Sequence, residues 1–88
     1  MYQYEIIPSL QTTLNKLSKK DKKTYEVVMK KIEEILENPQ RYKPLRHDLA
    51  GERRVHIMKS FVLKFEVNEA AKTVKFFFFG HHDEAYKR

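Results

Sequence analysis

Four histidines and one tyrosine carry most of the chemistry available to this 88-residue chain. His47 lies in the run Arg46-His47-Asp48-Leu49-Ala50-Gly51, and His56 in Arg53-Arg54-Val55-His56-Ile57. His81-His82 follow Gly80, with Asp83, Glu84 and Tyr86 just beyond. Histidine's ordinary pKa, ~6.5, lets it take or give a proton near neutrality, so these residues suit general acid–base transfer. Alternation on a strand puts His56 and Arg54 on one face, where both can meet one phosphate. Arg46, Arg53, Arg54, Lys59 and Lys87 are the candidate phosphate binders. Tyr86 can stack on a base or anchor the tail to the core. Asp83 and Glu84 can orient a histidine but read more simply as a solvated turn.

A metal centre built from the histidines is disfavoured. The chain has no cysteine, its histidines are scattered, and no His-Glu-x-x-His motif occurs. No cofactor motif is visible either. The absence of cysteine also excludes a disulfide framework and fits a reducing compartment. Met1 to Glu5 lacks the basic and apolar regions of a signal peptide, and no apolar run is long enough to span a bilayer. The expectation is a single cytoplasmic domain, residues 1–88, with no membrane partner. Net charge is +6, pI about 9.6 and mean hydropathy −0.71. That balance points to a polyanionic partner, nucleic acid above all, although abundant Lys and Glu also suit a heavily charged surface.

The elements that must hold these residues are legible in order. Tyr2 to Ile7 alternates as a first strand, with Tyr2, Tyr4 and Ile6 on one face. Pro8-Ser9 ends it, and Ser9 can cap a helix marked by Leu10, Leu14 and Leu17 that ends near Ser18. Ser18-Lys19-Lys20-Asp21 matches the capping box of a second helix. Its stripe is Tyr25, Val28, Ile32, Ile35 and Leu36, and Asn38-Pro39 stops it. The Lys19 to Lys23 cluster at the junction reads as a solvated corner, with phosphate contact as the other reading. Residues 39–50 read as a loop, and Gly51 as a turn.

Three strands follow. In Arg53 to Met58, Val55 and Ile57 share one face, and Arg54 and His56 share the other. Lys59-Ser60 forms a tight connection to Phe61 through Val67, in which Phe61, Leu63, Phe65 and Val67 alternate with Val62, Lys64 and Glu66. Asn68 to Lys72 is a second hairpin loop. Val74 to Phe79 is apolar on both faces, with Lys75 on the side of Phe77 and Phe79. The Phe76 to Phe79 run reads as core, with one face available to a wrapping partner. The order β-α-α-β-β-β predicts an α+β fold: a two-helix hairpin packed on a mainly antiparallel four-stranded sheet.

That order, with Leu49-Ala50-Gly51, the basic strand from Arg53, the aromatic strand from Phe61, and Gly80-His81-His82 followed by Tyr86, resembles the RelE/ParE toxin superfamily. Within it the histidines are similar to the YafQ-type branch: His47 to its loop histidine, His56 to its strand histidine, His82 to the one after the last glycine. Many RelE members place an arginine where Val62 stands, and another where His82 stands. The YafQ branch has an acidic residue near Ser60. A histidine-centred mechanism therefore fits better than one built on two arginines.

The resemblance implies an mRNA endoribonuclease, a type II toxin acting in the ribosomal A site. It implies a RelB-like antitoxin as partner in a toxin–antitoxin hetero-oligomer. Metal-free cleavage would use the RNA's own 2′-OH: a base takes its proton, the oxygen attacks phosphorus in line, and an acid protonates the 5′-oxygen. With the family pattern included, His82 ranks first, then His56, then His47 in its loop. Two other classes stay open: a ParE-like gyrase-directed toxin, and a non-catalytic RNA-binding module.

Overall fold

The computed structural model describes residues 1–42 and 51–85. β1, Gln3–Ile6, leads into α1, Pro8–Lys20, and α2, Lys22–Glu37. A short 3₁₀ turn, Pro39–Arg41, follows. β2 is Glu52–Ile57, β3 Phe61–Asn68, β4 Thr73–His81, and a short α3 covers His82–Ala85. The sheet order is β1-β4-β3-β2, with β1 parallel to β4 and the other two pairings antiparallel. Two helices on a mainly antiparallel sheet is the expected α+β architecture.

The helix boundaries correct the sequence reading. Pro8, which has no N–H to lose, occupies the first helical position, and Ile7 precedes it. Ser9 is therefore inside α1 and caps nothing. Ser18 is inside it too: its hydroxyl donates to the Asn15 carbonyl at 2.7 Å. Lys19 and Lys20 complete the last turn, where cations favour the helix dipole. The cap of α2 is Asp21, the single residue between the helices. Its Oδ1 accepts from the Thr24 amide at 3.1 Å, and its Oδ2 accepts from the Thr24 hydroxyl at 2.6 Å. These bonds hold the Asp21 carboxyl below its ordinary pKa.

Leu10 and Leu14 of α1 and Val28, Ile32, Ile35 and Leu36 of α2 bury their stripe against the sheet. The sheet supplies Ile57, Leu63, Phe65, Val67, Val74, Phe76 and Phe79. At the edge, β1 buries less than its alternation suggests: Tyr4 is 59% exposed. Tyr2 is instead tied down by polar contacts. Its hydroxyl donates to Glu69 Oε2 at 2.7 Å, and Lys72, which pairs with Glu69 Oε1 at 3.0 Å, lies over its ring.

One irregularity decides which side chains face outward. Lys64 opposes Phe78, but the next residue, Phe65, opposes Phe76. Phe77 is thus an extra residue, a β-bulge, and the alternation changes phase there. Below it Val74 and Phe76 face the core; above it Phe79 does. Phe79 does not share a face with Lys75, contrary to the simple alternation. Phe78 turns outward beneath Lys64, whose ammonium lies 5.3 Å from the ring centre. Val62, grouped with Lys64 and Glu66 by alternation, is fully buried.

Candidate functional site

The bulge sets the last strand's phase so that His81 falls on the core side and His82 beyond it on the outer side. The His81 ring packs against Phe61, with centroids 4.7 Å apart, and Phe61 stacks on Phe79. The paired register runs His56–Val62–Gly80 across β2, β3 and β4. Gly80 contributes no side chain to that row. The His82 amide donates to the Ser60 carbonyl at 2.7 Å, fixing the start of α3 against the β2–β3 turn. The His82 ring then lies stacked on His56, centroids 5.6 Å apart and planes 25° apart.

The turn itself is built from Met58, Lys59 and Ser60 between the paired residues Ile57 and Phe61. Met58, the first residue of the turn, has φ 59°, a left-handed conformation uncommon for a residue with a side chain. Its sulfur lies 3.6 Å from the Thr24 hydroxyl, so the turn rests on the first turn of α2. His56, Lys59, Ser60, His81, His82 and Asp83 line an open groove of ≈ 430 Å³. Asp83 Oδ1 is 3.9 Å from His82 Nδ1, beyond hydrogen-bond length. Three imidazoles and an ammonium around one open groove can move protons beside a bound phosphate. Among the described residues no group of three His, Cys, Asp or Glu side chains is placed to hold a metal.

Of the proposed residues, His56, His82 and Lys59 come together here. Arg54 is exposed on the same outer face as His56, opposite Lys64 in register. Arg53 does not join them. It is 8% exposed, and its Nε donates to the Tyr42 carbonyl at 2.8 Å. Its Nη2 donates to Gln40 Oε1 at 2.9 Å, and its Nη1 reaches the Gly51 carbonyl at 3.4 Å. Alternation alone puts Arg53 on the inward face with Val55 and Ile57, and this guanidinium clasps the 3₁₀ turn to the sheet. Its assignment as a phosphate binder is corrected accordingly. Arg46 and His47, and Tyr86 and Lys87, lie outside the described residues. Sequence reasoning passed over Ser60 as a groove residue; the signal was its place across the turn from His81-His82.

Comparison with known proteins gives one family and consistent relatives. The family model for the ParE toxin of the type II toxin–antitoxin system parDE matches residues 4–86. A protein of Methanocaldococcus jannaschii named as a candidate toxin, RelE4, is 57% identical over 88 residues, covering 100% of this chain and 94% of its own. The isolated Escherichia coli RelE toxin superposes with TM-score 0.77 at 19% identity, covering 97% of this chain and 95% of that one. Escherichia coli YafQ superposes with TM-score 0.62 at 21% identity, covering 99% and 100%. At these identities the two structures speak for the fold. No helix among the described residues is long and apolar enough to cross a membrane.

Proposed function

The chain belongs to the RelE/ParE family of type II toxins, and from that premise we propose that it is an mRNA endoribonuclease whose chemistry is centred on His56 and His82. The observation that carries this reading is the stacked pair over the groove, with Lys59 beside it. One ring, neutral, takes the 2′-OH proton; the other, protonated, supplies the proton to the 5′-oxygen. The 2′-oxygen attacks phosphorus, the P–O5′ bond breaks, and the upstream fragment ends in a 2′,3′-cyclic phosphate. Lys59 and Arg54 offset the charge of the phosphorane. His47 and Tyr86 complete the proposed set, with Arg46 and Lys87 as further phosphate contacts. The expected setting is the cytoplasm, on mRNA in the ribosomal A site, with a RelB-like antitoxin as partner. The histidine placement supports a YafQ-type variant of the mechanism.

The test uses purified protein, ribosomes and a defined mRNA. Cleavage that a single 2′-deoxy substitution at the cut site abolishes is the expected result. Cleavage of the 2′-deoxy message would refute 2′-OH attack. The match to the ParE model favours one second reading, a gyrase-directed toxin on the same scaffold. It predicts that growth arrest survives His82→Ala and that no message is cut.

A further inference from the structure

Outside the groove, α1 and α2 meet at a corner. Lys16, Lys19, Lys20, Lys22 and Lys23 are all exposed there. Among the described residues none of these ammonium groups forms an ion pair or a hydrogen bond. The one acid within the run is Asp21, and its two oxygens are engaged by Thr24. The next acid, Glu26, follows on α2. Lys19 and Lys20 gain from the end of the α1 dipole and Lys23 lies near the charge of Asp21, but a cluster of this density still costs self-repulsion. Its position is informative. Thr24 touches Met58, and the residues after Met58, Lys59 and Ser60, line the groove. The turn is therefore shared: one side borders the groove and the other abuts the lysine corner.

We propose that the α1–α2 corner is a second phosphate-binding surface, contiguous with the groove through the Met58-Lys59-Ser60 turn, which engages the RNA backbone beyond the cleaved nucleotide. The proposal rests on the groove binding RNA, as argued above, and adds the path of the bound strand. No exposed aromatic side chain lies in the run from Lys16 to Lys23, so the corner offers charge and no stacking platform. It reads phosphates and not sequence, setting the position of the RNA while the groove does the chemistry. An acidic polypeptide is the competing occupant. The phosphate reading is favoured because the corner adjoins a groove lined by histidine and lysine, into which the same strand can continue.

The experiment is the salt dependence of binding, by fluorescence anisotropy, of a labelled oligouridine of about 20 nucleotides. Wild type is compared with K20Q/K22Q/K23Q and with a charge-matched control, K30Q/K72Q/K75Q. For a single strand each phosphate contact contributes about 0.7 to the slope of log K against log salt, so the corner variant should lose about 2 from the slope. That is a roughly 100-fold loss at 0.1 M salt relative to 1 M. The control should keep the wild-type slope. Equal slopes for wild type and corner variant would overturn the proposal, as would equal losses in both variants. Loss of binding to a polyglutamate peptide by the corner variant, with RNA slopes unchanged, would overturn it in favour of an acidic polypeptide. Cleavage with an unchanged slope removes this surface and leaves the nuclease reading standing. A reduced slope without cleavage does the reverse.

Discussion

Replacing Arg53 by Met separates a structural arginine from a substrate-binding one. Met keeps much of the buried stem and removes the guanidinium. The variant loses the bonds to the Tyr42 carbonyl at 2.8 Å and to Gln40 Oε1 at 2.9 Å, and the longer contact to Gly51. A bond with one charged partner contributes ~1.5–3 kcal/mol. Gln40 is exposed and Tyr42 half-buried, so water can reach the abandoned acceptors, and the lower end applies. Two such bonds give about 3 kcal/mol. For a chain of this size that is a fall of roughly 12–24 °C in Tm. Urea unfolding followed by circular dichroism measures it directly, with the m-value as the check on two-state behaviour. Arg54→Met, on the exposed outer face, should stay within about 0.5 kcal/mol. A loss below ~0.5 kcal/mol for Arg53→Met would refute the clasp and return Arg53 to the phosphate binders.

Three further outcomes follow from the packing and the cap. Leu14→Ala, at a site 1% exposed beneath the sheet, should cost about 2–5 kcal/mol by the same urea assay. Thr24→Val removes the hydroxyl bonded to Asp21 Oδ2 and should cost about 1 kcal/mol, while the backbone cap persists. The Asp21 carboxyl sits below its ordinary value because Thr24 donates to it. Its contribution is therefore present above the unfolded pKa and is lost as pH falls through the folded one. Asp21→Asn should accordingly flatten the acid limb of the stability–pH curve relative to wild type; parallel acid limbs would contradict the assignment of the cap.

The sequence made the element order legible because both helices carry stripes at helical spacing and three strands carry apolar alternation. It misplaced the helix junction because Ser18 and Asp21 are both good caps, and only the fold decides which serves. Asp21 won by reaching two groups of Thr24. Alternation along β4 failed at Phe77, since four successive phenylalanines carry no phase and a bulge leaves no mark among them. That bulge shapes the groove: it leaves Gly80 opposite Val62, so that His82, not His81, stacks on His56. The inward position of Arg53 was contained in the pattern that put Val55 and Ile57 inside. What the pattern lacked was the acceptor set on Gln40, Tyr42 and Gly51, which makes burial of a cation tolerable. His56 and His82 were legible individually, while their stacking depends on register and on the turn at Ser60. Neither leaves a trace in local spacing.

The most direct measurement is primer extension on cellular mRNA after induction, comparing wild type with His82→Ala at matched expression and with folding confirmed by circular dichroism. Cuts phased with codons in the wild type, and their loss in the variant, are the predicted result. Identical cut patterns in both would contradict the assignment of His82 to the chemistry.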